Sequence, residues 1–458
     1  MELLKYLKGL AEIKGRAPRV GFFGLGRTAR GLIEAIPKDF PCEITLREEK
    51  LSHFEHNFPS ARELYGSDAL SSAWEDVIFF APSVRRERPE LDGLTKSGAQ
   101  ITSDCEIFFA RLEKDVFAIS GSDGKSTTTA LASQLLSASG KKATPCGNYG
   151  LPFCSLTEED GIPVAELSSF NLRYLKPRLY RSVITNITPN HLNWHKDFEE
   201  YKQAKAKLFF GAVEPVICAD DDYLLSLGER YGAYGVYSTK HTLMELKRRV
   251  RAQVYITVEG KWALLNGERL FSRSDMLRRE DYIFSNMLGA VALTEGHTDR
   301  SAALKVANSF GGLAHRMETV AIKDGVRYIN SSIDTSPART AATLKELQGK
   351  VRIILGGRDK GLPKAPLLDA MANGVVKIAL YSEAADAIEE ALALDGRFSD
   401  ISREKFEGLA EAIDFAMKDA KDGDTVLLSP SATAYGEFKD FAERGEYFTQ
   451  YIKDRLSK

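Results

Sequence analysis

What the chain lacks narrows its class first. It has no run of roughly 18 uninterrupted apolar residues, so no segment reads as a membrane-spanning helix. Residues 1–16 mix leucine with lysine and glutamate and lack the apolar centre of a secretory signal, so a cytoplasmic protein is expected. Cysteine is sparse: Cys42, Cys105, Cys146, Cys154 and Cys218 are odd in number and scattered, with no CxxC pair. That excludes a disulfide framework and a structural zinc site of that type, and the thiols read as small buried hydrophobes. Neither sign of charge prevails, with 62 Lys+Arg against 64 Asp+Glu and a net charge of −2. The electrostatic case for a nucleic-acid or anionic-membrane partner is therefore absent. No solenoid repeat or low-complexity tract occurs.

What is present is a globular chain of 458 residues, long enough for about three domains at roughly 150 residues each. Short β-rich runs lead into glycine turns and then helical stretches, the signature of parallel α/β sheets. The first block starts at Val20–Phe23, passes Gly24-Leu25-Gly26 and enters a helix to about Ala35, with strands at 44–46 and 77–81. The second opens at Val116–Ile119, crosses Gly121-Ser122-Asp123-Gly124 and enters a helix from Lys125 to about Ser139, stopped by Gly140. Strands follow at 164–167, 182–185 and 254–258. The third block begins near Gly311-Gly312, with strands at 351–355, 375–381 and 425–428 and helices at 384–394 and 406–418. The expected architecture is three tandem α/β domains, 1–113, 114–312 and 313–458: Rossmann-like, phosphate-loop ATPase-like and again Rossmann-like.

Chemistry concentrates in a few stretches. Gly121-Ser122-Asp123-Gly124-Lys125-Ser126-Thr127 sits where a phosphate loop must, after an apolar strand and at a helix start. Its glycines let backbone N–H groups curl around phosphate oxygens, Lys125 would meet the outer phosphates, and the Ser126 hydroxyl would reach Mg²⁺. The loop is shorter than the full G-x-x-x-x-G-K-[ST] spacing and is a variant of it. Gly24-Leu25-Gly26-Arg27-Thr28 resembles a dinucleotide fingerprint, with Glu48 at the end of the next strand. The same turn could equally cradle the diphosphate of a UDP-sugar, and the pattern does not separate the two. A third cluster joins Glu166, able to hold Mg²⁺, to Asn186–His191 and the lysine-rich run 201–209.

The ordered set resembles the Mur ligases, ATP-dependent amide-bond ligases of peptidoglycan precursor synthesis, over nearly the whole chain. It runs from Gly24-Leu25-Gly26 through Ser103–Glu106, the loop 121–126, Gly147–Gly150, Glu166–Phe170, Asn186–His191 and Ala204-Lys205. It continues through Asn286–Leu288, His315-Arg316, Gly356–Lys360 and Leu428–Pro430, and the tail 438–445 is similar to the D-glutamate-adding branch. The resemblance implies UDP-N-acetylmuramoyl-L-alanine and D-glutamate as substrates, ATP as the energy source, two Mg²⁺ ions, and a monomer. It implies that residues 24–28 surround the UDP diphosphate, and that Asn148 and Ser168 meet the muramoyl group. Lys125, Ser126 and Glu166 would serve the triphosphate and first Mg²⁺, and His191 and a carbamylated Lys205 the second. Asn286 and Arg316 would hold the adenosine end. Thr335, Lys360 and Phe441 match the amino-acid positions.

The sequence departs from the family pattern at that last site. Ser331 stands for Asp, Ile333 for Lys, Ala434 for Ser, and Asn190 replaces an Asp beside the histidine. An amino-acid carboxylate needs cationic or hydroxyl partners, so Arg339 or Arg358 is expected to compensate, with Thr433 or Ser431 supplying a hydroxyl. Two other readings stay open. One is a related ligase with another amino acid or acyl substrate. The other is a non-catalytic nucleotide-sugar-binding paralogue.

Overall fold

A computed structural model describes residues 2–49, 56, 58–111, 115–192, 194–359, 361–434 and 437–457. Contacts divide the chain into two units, Met1–Phe310 and Gly311–Lys458. The first unit contains two sheets and the second one. The expected boundary between the first two domains, at 113/114, lies outside the described residues.

The first sheet has five parallel strands: β1 (Arg19–Phe23), β2 (Glu43–Glu48), β3 (Arg62–Tyr65), β4 (Val77–Phe80) and β5 (Gln100–Thr102). Their order is β3-β2-β1-β4-β5, so the chain reverses direction across the sheet beside β1, and Gly24–Gly26 leaves the sheet at that point. Both faces are apolar: Phe22 stacks on Phe79 at 5.5 Å, and Phe23 stacks on Phe80 at 5.0 Å. An amino-terminal helix, Glu2–Lys14, buries Leu3, Leu7 and Leu10 against the sheet's core.

The second sheet has nine strands: β6 (Phe117–Ser120), β7 (Ala143–Gly147), β8 (Ile162–Glu166), β9 (Leu179–Ile184), β10 (Ala212–Cys218), β11 (Gly235–Tyr237), β12 (Val254–Glu259), β13 (Trp262–Leu265) and β14 (Glu268–Ser272). In the order β14-β13-β12-β11-β10-β9-β6-β8-β7, β6 lies inside the sheet between β9 and β8. The seven strands from β12 to β7 are parallel, while β13 and β14 extend the far edge antiparallel. From the sequence only the strand at 254–258 was expected in this region, and the hairpin was not.

The third sheet contains β15 (Glu318–Lys323), β16 (Val326–Asn330), β17 (Lys350–Gly356), β18 (Val375–Tyr381), β19 (Ser402–Phe406) and β20 (Asp424–Ser431), in the order β15-β16-β20-β17-β18-β19. Only β15 is antiparallel. The last strand, buried along its whole length, is inserted between β16 and β17. One expected boundary moves: residues 402–406 are strand, and the helix expected from 406 begins at Leu409 after an extended Gly408.

All five thiols are free; four are buried and Cys42 is half-buried, where burial pushes its pKa to about 11. Among the described residues no helix is long and apolar enough to cross a membrane.

Candidate active site

The phosphate-loop stretch occupies the turn from β6 into the helix Lys125–Ala138, at the carboxyl edge of a parallel sheet, where such folds bind ligands. Gly121 (φ 151°) and Gly124 (φ 78°) adopt backbone conformations that side chains avoid. A Cβ at Gly121 would also fall onto Thr185, and one at Gly124 onto the Asn286 amide. The residues after β9 pin the loop. Asn186 accepts from Asp123 N–H at 3.0 Å, its backbone carbonyl accepts from Ser122 N–H at 2.9 Å, and Thr185 Oγ1 donates to Asp123 O at 2.6 Å. The Ser122 hydroxyl donates to Thr188 O at 2.9 Å and lies 2.8 Å from the Tyr201 hydroxyl. The Asp123 side chain is exposed, and Ser126 and Thr127 are half-buried in the first helical turn.

Two lysines converge on one carbonyl. Lys125 Nζ donates to Gly121 O at 3.0 Å and Ser122 O at 2.8 Å, and Lys205 Nζ donates to Gly121 O at 2.6 Å and to Ser120 Oγ at 3.2 Å. Lys205 lies on the helix Phe198–Phe210 and is 1% exposed. Burial first, and then the charge of Lys125, holds its amine well below the ordinary lysine value, so it favours the neutral form. Glu166, the last residue of β8, is 4% exposed and acts electrostatically on Lys205. His191 adopts φ 54°, and its ring lies 4.9 Å from Phe170. Partial desolvation, followed by the neighbouring Lys125 and Lys205 side chains, lowers its pKa and favours the neutral imidazole. Asn286 is 5% exposed, and its Nδ2 has no acceptor among the described residues. The structure therefore brings Lys125, Glu166, His191, Lys205 and Asn286 around one loop. Among the described residues no three His, Cys, Asp or Glu side chains form a metal cage.

Asn148 is exposed in the turn after β7, and its N–H donates to Glu166 O at 3.1 Å. Ser168 caps the helix Ser169–Tyr174, accepting from Asn171 N–H. In the first sheet's turn, Leu25 is buried and its N–H donates to Glu48 Oε2 at 2.8 Å, so this amide is already engaged by a carboxylate. Arg27 and Thr28 open the following helix, where the first amides have no partner inside the helix. The Arg27 side chain lies outside the described residues.

In the second unit, the loops after β16, β17 and β20 meet. Ser331 N–H donates to Leu428 O at 2.7 Å, Ser431 N–H donates to Asp334 O at 2.8 Å, and Arg358 and Thr433 exchange backbone hydrogen bonds. Thr335, Arg358, Thr433 and Phe441 thus belong to one loop cluster, while Lys360 lies outside the described residues. Arg339 is exposed and donates to Ile333 O at 3.1 Å; the Arg358 side chain is exposed as well. Arg316 is exposed in the bend before β15. The cation at the centre of the cluster is one the sequence reading missed. Arg444 is fully buried and donates to Ser332 Oγ, Ser332 O and Ala432 O at 2.9–3.1 Å, with Gly356 O and the Tyr381 hydroxyl at 3.4 Å. Its only sequence cue was its place in the tail motif 438–445.

The Mur ligase middle domain family matches residues 119–294, and the Mur ligase glutamate ligase domain family matches residues 315–432. The UDP-N-acetylmuramoylalanine–D-glutamate ligase of Acetivibrio thermocellus is 34% identical over 388 residues, 82% of each chain. Its namesake from Ruminiclostridium cellulolyticum is 32% identical over 456 residues, covering 95% of this chain and 96% of its own. Among solved structures, a UDP-N-acetylmuramate-alanine ligase from Thermotoga maritima shares the fold at 16% identity and a TM-score of 0.53, across 96% of this chain and all of its own. Identity at this level across nearly the full length, with both domain families in order, establishes that the chain belongs to the Mur ligase family.

Proposed function

We propose that the chain joins D-glutamate to UDP-N-acetylmuramoyl-L-alanine at the expense of ATP, through an acyl phosphate and a tetrahedral intermediate, in cytoplasmic peptidoglycan precursor synthesis. The observation that carries the reading is the pair of lysine amines on Gly121 O, one at a helix start and one fully buried. A carboxylate is a poor acyl donor, and phosphorylation by ATP turns its oxygen into a leaving group. As that carboxylate approaches the γ-phosphate, negative charge accumulates, and Lys125 at the mouth of the loop neutralises it. Mg²⁺ supplies further charge neutralisation on the phosphates, and Ser126, Glu166, His191 and a modified Lys205 are the residues that would hold it. A neutral Lys205 amine can add to CO₂, forming a C–N bond and releasing a proton. The carbamate replaces a repelling cation with an anionic oxygen ligand. The buried Asn286 amide suits the polar edge of the nucleotide. Gly24–Thr28 supplies the turn for the UDP end, where Glu48 on the Leu25 amide favours a hydroxyl at that position. The amine then attacks the acyl carbon and phosphate leaves.

Names and matches of the relatives support D-glutamate, whereas Ser331, Ile333 and Ala434 favour testing other amino acids beside it. Phosphate release from ATP, measured with UDP-N-acetylmuramoyl-L-alanine across a panel of D- and L-amino acids, decides this. D-glutamate alone should support turnover; preference for another amino acid replaces the substrate, and no release with any of them overturns the ligase reading.

A further inference from the structure

His195 has no part in the reading above, yet its side chain is completely buried among active-site elements. Nε2 lies 2.9 Å from Ser169 Oγ, and Nδ1 lies 3.3 Å from Glu200 Oε2. Trp194, Tyr201 and Phe170 surround the ring, with centroids 4.6, 5.3 and 6.1 Å away. Burying an imidazole costs free energy unless its nitrogens find partners. An apolar ring would fill this aromatic box without that requirement. The fold instead brings polar groups from two separate elements: Ser169 hydrogen-bonds Nε2, while Glu200 faces Nδ1 as a close charged neighbour that is not aligned for a hydrogen bond.

We propose that His195 is a positioning residue, which locks the turn carrying His191 to the turn after β8 and to the helix carrying Lys205. The inference rests on the ligase reading for its kinetic consequence. His195 and Trp194 both donate their backbone N–H to His191 O, at 3.0 and 2.9 Å, so anchoring the His195 ring anchors the strained His191 turn. Ser169 follows Ser168 and stands three residues after Glu166. Glu200 lies on the Lys205 helix, and the adjacent Tyr201 hydroxyl meets Ser122 in the phosphate loop. Glu200 is itself held, by Lys196 N–H at 2.9 Å and by Arg85 and Arg173 at 3.3 and 3.4 Å. Arg85 also donates to Trp194 O at 2.8 Å, and the Trp194 indole donates to Ser83 O at 2.7 Å. Ala81 and Val84, just before Arg85, back the glycine turn at Gly24. The lock thus joins the carboxylate, imidazole and amine of the phosphate-loop site to the loop that supports the first sheet's turn.

The test compares His195→Leu, which fills the space and removes both polar contacts, with His195→Gln, which restores an amide near the Nε2 position. Ser169→Ala and the His195→Leu/Ser169→Ala pair complete a cycle. His195→Leu should leave the KM for ATP within about threefold and lower kcat about 100-fold, the scale of a 1 Å misplacement. Mn²⁺ binding to the enzyme–ADP complex, read by electron paramagnetic resonance without turnover, should weaken about tenfold, as for other supporting residues of metal ligands. His195→Gln should recover at least tenfold in kcat, and Ser169→Ala should add little to His195→Leu. Unchanged kcat and Mn²⁺ affinity in His195→Leu would overturn the proposal. So would losses that Gln does not rescue, or effects of the two sites that simply add. If His195→Leu does not fold, Ser169→Ala and His195→Gln decide the matter by the same readouts. If the wild type releases no phosphate with any amino acid, the ligase reading falls, and the Mn²⁺ arm still decides the positioning role.

Discussion

The phosphate loop and the C-terminal loop cluster both stand at the carboxyl ends of parallel strands, but they use cations in opposite ways. In the first, Lys125 is half-buried and rests on loop carbonyls within its own turn, so its charge remains available to a phosphate. In the second, Arg444 is fully buried and committed to acceptors from Ser332, Gly356, Tyr381 and Ala432. One cation is the proposed partner of a ligand; the other is consumed by the architecture. A conspicuous motif marks the first kind of site, whereas the second is recognised only by its packing.

Lys125→Ala gives the largest expected break in this contrast. Ligation should fall by about 1,000-fold or more, the upper range for removing a preorganised charge-stabilising group, while the melting temperature barely moves. Near-normal turnover would remove the phosphate-loop assignment. Arg444→Met should do the reverse. It strands several buried acceptors and should destabilise the second unit by about 3–5 kcal/mol, read by denaturant unfolding. A loss below about 1 kcal/mol would show that its hydrogen bonds are readily replaced.

Lys205 sharpens the comparison through pH. Its folded-state pKa lies below the ordinary 10.5, so the unfolded chain holds this proton to higher pH than the folded one. Stability in CO₂-free buffer should therefore rise with pH from the folded-state value up to about 10.5. Lys205→Ala should flatten that part of the profile, and its lost activity should return partly with added short-chain carboxylic acids. A profile unchanged by the substitution would mean the amine stays charged. The smallest effects are expected at Arg339 and Arg358. Both are exposed, so Ala at the one that meets the incoming carboxylate should raise the KM for D-glutamate by about tenfold and leave that for ATP unchanged. Wild-type glutamate kinetics in both variants would mean that neither arginine holds the carboxylate.

Much of the first site was legible because its chemistry is local. Gly121 to Ser126 follow a strand and open a helix, and that order alone places backbone amides and a lysine together. Lys205 was named by its motif, but only burial against Gly121 explains why its amine should be neutral. His195 gave no signal: a histidine four residues after another reads as ordinary surface until Ser169 and Glu200 arrive from elsewhere. The hairpin β13–β14 was hidden because Trp262–Leu265 carries four apolar residues in a row rather than an alternation. Phe406 was read into the following helix because it is apolar at helical spacing, yet it pairs with Tyr381 at the end of β19.

The insertion of β20 between β16 and β17 has a consequence for how this protein is made. Until residues 424–431 leave the ribosome, β16 and β17 lack the neighbour that joins them, and both present unpaired edges. Pairing of β16 with β20 spans nearly a hundred residues of sequence, a separation that slows folding because loop closure precedes the contacts that reward it. The first unit can acquire its structure during synthesis, while the second waits for its last strand. The nascent C-terminal third is therefore the part of the chain most exposed to aggregation and to chaperones.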